Sequence, residues 1–343
     1  MPERIARLAT TQWAYREVPP EATPYSDVFS LDAARQWSRS EIDGAAGLLA
    51  MAGDQGADLA VAGEDIAHLS YPLTYLDDPS IFRTLARESA AMAHETLSQV
   101  ARRHEMHIVA SFFEPDGDRI FNSAVLIGRD GALIGRYHKV HLPVYETWMV
   151  SPGDRFPAFE TDIGLLGMLI CYDEVWPESA AACALNGARI ICHPSAASPA
   201  DYRVRCRAMD SQVFYITSTK HHSRIVAPTA KVLADAGDRQ DAVLTADADI
   251  ENASLAPENF WEYLYSGVQD HRERHLRLRR PDAYRILLEA SPPAVKTYPP
   301  RELPITPQAR RAVYEKQKED YRRGLRGEKQ YYSWTWSKGD EGA

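Results

Sequence analysis

Apolar residues along this chain come in short runs separated by longer amphipathic stretches, the pattern of strands alternating with helices. IARLATTQW, residues 5–13, reads as a first strand, followed by a Pro-rich link from Val18 to Pro24. A helical period over 41–55 groups Ile42, Ala45, Leu48, Leu49 and Ala52. GADLAVAGED, residues 56–65, holds a short apolar run around Leu59 and Val61 that ends at Glu64. A second helix, from about Ile81 to His104, leads into the strand HIVASFF, 107–113. Residues 119–140 contain two β-patterned runs joined by Arg129-Asp130-Gly131. An Asp-Gly between such runs predicts a hairpin, so part of the sheet is antiparallel.

The second half repeats the alternation. Leu165–Ile170 has the length and character of a buried strand. A tight turn at Cys171 and a helix over 177–187 follow, with Pro177 tolerated in the first helical turn. Asp173, Glu174 and Glu178 suit the positive end of a helix dipole. Then come the strand IICHPS, a helix near 201–211, the strand VFYITST (213–219), and runs at 223–228, 230–235 and 242–249. No fixed-period repeat is visible beyond this αβ alternation. From about Glu258 the chain becomes basic, then Pro-rich, and ends in a charged segment with YYSWTW. This tail is too polar to build a core of its own, and it is expected to wrap over the domain or over a second subunit.

Composition narrows the class. The 343 residues suffice for one large α/β domain with extensions, or for two smaller domains. A net charge of −9 argues against nucleic acid or an anionic membrane as the main partner. Cys171, Cys183, Cys192 and Cys206 lack CxxC spacing, so neither a disulfide framework nor a cysteine zinc site is expected. The N-terminus has no apolar leader and no run is long enough to span a membrane, which suggests a reducing cytoplasm.

Cys171 is the main candidate for chemistry. Alone it reads as a buried structural cysteine. At a strand-to-helix turn, however, a thiol is more easily ionised, and the thiolate is the nucleophile. Glu64 alone reads as a solvated loop acid and Lys139 as a surface residue of a strand; Glu146 is as readily a capping acid as a functional one. His138, His141, His221 and His222 show no zinc spacing, and satisfied or exposed histidines are expected there. The Arg cluster at 272–280 reads as a solvated or subunit-bridging face, YYSWTW as an aromatic latch. No GxGxxG or GxxxxGKS stretch supports a nucleotide fold.

Three motifs in order give these residues a common reading. DLAVAGED, GRYHKVHLP and LICYDEVWPE resemble the nitrilase superfamily of carbon–nitrogen hydrolases over roughly residues 5–250. SPGD (151–154), GARIICHPSA (187–196) and RCRAMDSQ (205–212) are further matches. Two positions depart from the usual pattern: Gly63 stands where relatives have Pro, and Asp210 where many have Glu.

The resemblance implies an α/β fold, a four-layer αββα sandwich, with residues 1–255 as the hydrolase domain and 256–343 as a C-terminal extension. It implies Glu64 as base, Lys139 as oxyanion partner and Cys171 as nucleophile. The Tyr172 backbone N–H would be the second oxyanion donor, and Glu146 would hold Lys139 and help place substrate or water. A lysine beside the thiol favours the thiolate, and carboxylates near the lysine keep it charged. No cofactor and no metal are implied. The expected partner is a small-molecule amide or carbamoyl substrate, with no nucleic acid and no membrane. The chain is expected to form a homodimer or larger even assembly through the helices near 177–187 and 201–211.

Relatives acting on N-carbamoyl-D-amino acids carry an Arg pair where this chain has Glu174 and Val175, and nitrilases usually show Trp-Glu where it has Tyr172-Asp173. The reading is therefore an amidohydrolase releasing ammonia from a small neutral or amine-bearing primary amide or carbamoyl compound. The alternatives are a nitrilase, or a silent binding protein on the same fold.

Overall fold

In the computed structural model, which describes residues 5–14, 16–69, 75, 77–143, 146–251, 271–289 and 306–323, alternate residues of one strand enter two different cores. Leu8, Leu59, Val61, Val109, Ala124 and Leu126 join one buried cluster. Their neighbours Ala9, Ala60, Ile108, Ala110 and Val125 join another. This is the period of two of a sheet covered on both faces.

The first sheet contains β1 (Ile5–Gln12), β2 (Leu59–Val61), β3 (His107–Asp116), β4 (Arg119–Ile127), β5 (Leu133–His138) and β12 (Ala242–Asp249), in the order β12-β1-β2-β3-β4-β5. The second contains β6 (Ala158–Thr161), β7 (Gly164–Met168), β8 (Ile190–Pro194), β9 (Phe214–Ser218), β10 (Arg224–Val226) and β11 (Val232–Asp235), in the order β11-β10-β9-β8-β7-β6. Each sheet has a parallel centre, β1-β2-β3 in one and β7-β8-β9 in the other, with antiparallel flanks.

Helices α1 (Leu31–Asp54) and α2 (Pro79–His104) pack Ile42, Leu49, Phe82 and Leu85 on the outer face of the first sheet. Helices α3 (Pro177–Leu185) and α4 (Asp201–Ser211) bring Ala180, Cys183, Val204 and Ala208 to the second. The fold is the four-layer αββα sandwich.

Most elements form where the pattern placed them, with two differences. Helix α1 begins at Leu31, not near 41, with the Ser30 side chain accepting from the Ala33 N–H as its cap. Its first half, LDAARQWSRS, carries few large apolar residues, so the helical period is faint there. Strand β6 is an unanticipated edge strand that is buried nowhere along its length. The β4–β5 hairpin turns at Gly131, whose φ of +78° and closeness to the Ser98 carbonyl (2.7 Å from a Cβ built there) both require glycine.

Between the sheets, the carboxyl ends of the parallel strands meet along a polar seam. Thr10 Oγ1 donates to the Thr217 carbonyl (2.6 Å), Ser218 Oγ to the Thr11 carbonyl (2.7 Å), and the Ser223 N–H to Gln12 Oε1 (2.8 Å). Ligand sites of α/β sheets lie at such strand ends.

Parts of the C-terminal region rest on the same chain. Arg272, expected on a solvated or bridging face, is buried, and its Nη2 donates to the carbonyls of Ala184 in the last turn of α3 (3.2 Å) and of Ala188 just past it (2.6 Å). Those carbonyls belong to a helix end, which attracts a cation. The helix Pro307–Arg322 packs Tyr314 on Tyr25, with ring centroids 5.4 Å apart and Met149 alongside. YYSWTW and most of the Pro-rich stretch lie outside the described residues. Among the described residues, no helix is long and apolar enough to cross a membrane.

Candidate active site

Lys139 follows directly on β5. Its N–H donates to the Asn122 carbonyl (2.9 Å), and its own carbonyl accepts from the Gly153 N–H (2.8 Å). A Cβ on Gly153 would lie 2.1 Å from the His138 carbonyl oxygen, so this close approach admits only glycine. The SPGD segment thus fixes the strand end that carries the lysine.

The Lys139 side chain is fully buried, and its Nζ donates to Glu64 Oε1 (3.0 Å) and to both carboxylate oxygens of Glu146 (3.2 Å each). Burial works against its charge, but Glu146 and Glu64 overcome that and hold it well above the ordinary lysine value.

Glu64 emerges after β2. Besides Lys139, it accepts from Asn122 Nδ2 (2.8 Å) and from the Ala196 N–H (2.8 Å). Asn122 is itself oriented by Ser111 Oγ (2.9 Å). Burial raises the Glu64 carboxyl, yet Lys139 and the two other donors, Ala196 and Asn122, bring it below its ordinary value, so it is ionised. The altered turn keeps this carboxylate in position. Nothing comes nearer than 3.9 Å to a Cβ built on Gly63, and the Asp65 side chain accepts from the Leu69 N–H (3.1 Å).

Glu146 opens the turn Glu146–Trp148. Burial and the Glu64 charge push its carboxyl up to about 7, against the pull of Lys139. The two carboxylates therefore differ: Glu64 is held anionic, and Glu146 is the one that takes up a proton first.

Cys171 stands where the chain leaves the second sheet, with φ at +44°, a conformation that non-glycine residues rarely adopt. Its carbonyl oxygen accepts from His193 Nε2 (3.0 Å). Burial pushes the thiol up to about 12; Glu64 adds to the rise, while Lys139 and a hydrogen bond from Ser195 oppose it. This overturns the expectation of an easily ionised thiol. The turn at Cys171–Val175 is 3-10, the α-helix starts only at Pro177, and the anionic Glu64 acts against the thiolate. This environment favours the protonated thiol, with the Glu64 carboxylate near enough to raise it. Tyr172 N–H lies in the first turn of that 3-10 segment, where the ladder supplies no acceptor, and its ring stands edge-on to Trp176 (4.9 Å, 90°).

Asp173 is also differently employed than a helix-dipole acid. It is fully buried and accepts from Tyr137 Oη (2.7 Å), the Ile170 N–H (2.9 Å) and the His141 N–H (2.9 Å), with His141 Nδ1 at 3.0 Å. It ties the segment after Lys139 to the turn that carries Cys171. Glu174 Oε1 is paired with Arg203 Nη1 (2.8 Å), while its buried Oε2 has no hydrogen-bond donor. Glu178 does lie in the first turn of α3. Of the histidines, His138 bonds Ser123 Oγ (3.0 Å), His222 faces Asp235 (3.1 Å) and His221 faces Asp238 (3.6 Å).

The structure thus brings Glu64, Lys139, Glu146 and Cys171 to one place, with the Tyr172 amide next to the sulfur-bearing residue. Sequence reasoning missed Asn122, Asp173 as a tie, His193, Ser195 and the Ala196 N–H. A signal existed for two of them: Asn122 and His193 are polar residues inside the apolar runs RIFNSAVLI and IICHP.

Comparison with known proteins bears on the family and the fold. The family model described as carbon-nitrogen hydrolase matches residues 7–258. A nitrilase of Pyrococcus abyssi is 32% identical over 59% of this chain and 81% of its own length. An N-carbamoylputrescine amidase of Solanum tuberosum is 28% identical over 66% of this chain and 77% of its own. The crystal structure of a carbon–nitrogen hydrolase from Helicobacter pylori G27 superposes with a TM-score of 0.65 at 23% identity, covering 84% of this chain and 99% of that one.

Proposed function

The chain belongs to the carbon–nitrogen hydrolase family of the nitrilase superfamily and is an enzyme of that class; from this premise we propose that it hydrolyses a small primary amide or an N-carbamoyl compound and releases ammonia. The observation that carries the reading is one buried lysine shared by two carboxylates, with a thiol whose ionisation both Lys139 and Glu64 influence.

In the proposed reaction, Glu64 takes the thiol proton as the sulfur of Cys171 attacks the carbonyl carbon. The carbonyl electrons move to oxygen, where Lys139 Nζ and the Tyr172 N–H stabilise the oxyanion. The proton passes to the leaving nitrogen, ammonia departs, and a thioester remains on Cys171. Water, deprotonated by Glu64, then attacks the thioester, and the sulfur leaves and recovers its proton. An amide yields a carboxylic acid; a carbamoyl amine yields a carbamic acid. Glu146 holds Lys139 and helps orient substrate or water.

The test is ammonia release from primary amides, N-carbamoyl amines, N-carbamoyl amino acids and nitriles, with the wild type and Cys171→Ala in parallel. Release from amides or carbamoyl compounds that the substitution abolishes is expected. Turnover of nitriles alone would overturn the reading.

We further propose a homodimer or larger even assembly through α3 and α4. Tyr202, Cys206 and Met209 are exposed on α4 at helical spacing, with Leu185 exposed at the end of α3. A monomer in sedimentation at micromolar concentration would contradict it.

A further inference from the structure

A cavity of about 60 Å³ lies beside Glu64, walled by Trp13, Glu41, His68, Ser195 and Lys220. It shares two groups with the reaction centre: Glu64 itself, and Ser195, which hydrogen-bonds the Cys171 thiol. At ~15 Å³ for a water-sized group, the space holds about four such groups, the end of a short chain.

Glu41 is the unusual member of the wall. It stands on α1 and is 1% exposed. Its Oε2 is 3.2 Å from His68 Nδ1, but its Oε1 is buried with no hydrogen-bond donor. Arg16 forms an ion pair with that oxygen at 3.6 Å, beyond hydrogen-bond distance, with its guanidinium over the Trp13 ring. A buried carboxylate oxygen without a donor is costly unless a ligand supplies one. The other charged groups of the wall have partners too, as Glu41 has in His68 and Arg16. Glu64 holds Lys139, Asp65 accepts from the Leu69 N–H, and Lys220 has a partner of its own. A buried carboxylate oxygen short of a donor, with the Trp13 ring in the same wall, is a setting that suits an ammonium group.

We propose that this cavity receives the far end of the substrate, that the preferred end group is a primary ammonium, and that Glu41 is its acceptor. The inference deepens the hydrolase reading and rests on it. It selects amine-terminated amides or carbamoyl compounds over alkyl and carboxylate ones. The charge is recognised through α1, not at Glu174, which is paired with Arg203 and does not line this cavity.

The experiment uses alkylation of Cys171, which needs no turnover. Three iodoacetamides of matched length, ending in ammonium, methyl or carboxylate, are compared by mass spectrometry on the intact protein. The ammonium reagent is expected to label Cys171 about tenfold faster than the methyl one. In Glu41→Gln that ratio is expected to fall towards one, and taking the ratio within each variant cancels general damage. In the wild type alone, pentylammonium is expected to protect Cys171 from iodoacetamide better than pentanol does. Equal rates in the wild type, faster labelling by the carboxylate, or a ratio that survives Glu41→Gln would overturn the proposal. Labelling without ammonia release from any amide or carbamoyl compound would instead sink the hydrolase reading, while the reagent ratio still judges the cavity.

Discussion

His193 Nε2 lies 3.0 Å from the carbonyl oxygen of Cys171, so a strand residue of the second sheet holds the backbone of the proposed nucleophile at its unfavourable φ of +44°. The carbonyl can only accept, so Nε2 carries the proton. Burial keeps the imidazole neutral by pushing its pKa down. Local backbone strain of this kind persists only where the surroundings over-determine it. In His193→Leu the donor is gone, and kcat is expected to fall about 10- to 100-fold with KM changing far less. His193→Gln, which can donate from a similar distance, is expected to recover part of the loss. Equal kcat in the Leu and Gln variants would reject this positioning role.

The raised thiol makes a sharp test of Glu64. If Glu64 serves as the base, Glu64→Gln is expected to slow iodoacetamide labelling of Cys171 by about two orders of magnitude at neutral pH. If Glu64 merely repels the thiolate, removing its charge would speed labelling. The direction of the change decides.

Glu146 carries a stability signature in pH. Its carboxyl titrates near 7 in the folded chain against an ordinary value of 4.5. Between those values the unfolded chain has lost this proton and the folded chain has kept it. The contribution of Glu146 to folded stability is therefore expected to decline as pH rises through that window, while buried His193 and half-buried His138, shifted downward, act in the opposite direction. Glu64, shifted downward, acts only below its ordinary value, so the difference between wild type and a Glu146 variant isolates Glu146. Denaturant midpoints of the wild type and Glu146→Gln from pH 5 to 8 are the measurement, and the decline should be weaker in the variant.

Gly153→Ala tests the hold on Lys139 without touching the lysine. The added methyl would sit 2.1 Å from the His138 carbonyl, so the strand end must move. A loss of about 1–3 kcal/mol in stability is expected from overpacking. A fall in kcat beyond what partial unfolding explains is expected as well, because Lys139 moves with its backbone. Undiminished kcat in a destabilised protein would separate the two effects.

Much of this arrangement is legible along the chain because it is written locally. The run ending at Cys171, the Asp-Gly between β4 and β5, and the short strand before Glu64 are each visible in a window of ten residues or so. The contacts that tune the groups are not. Asp173 looks like a helix-start acid because sequence shows the helix after it and hides the Lys139 segment that folds over it. The thiol of Cys171 looks activated because the nearby helix is visible, whereas the opposing charge of Glu64 arrives from the other sheet. Glu41 sits in a helical period as one polar residue among many, and only the fold turns it towards Glu64.

One feature of the sandwich reaches further than the site itself. Glu64 and Lys139 ride on the first sheet, Cys171 and the Ala196 amide on the second, and the 2.8 Å hydrogen bond from the Ala196 N–H to Glu64 is one of several that span the divide. The reaction centre is thus a vernier between two slabs. A slip of a fraction of an ångström between them would misalign sulfur, base and oxyanion donor together while both slabs stayed intact. In mild denaturant, catalysis should therefore fade before circular dichroism changes, and the enzyme would report the fit of its own halves more finely than any spectroscopic probe of its secondary structure.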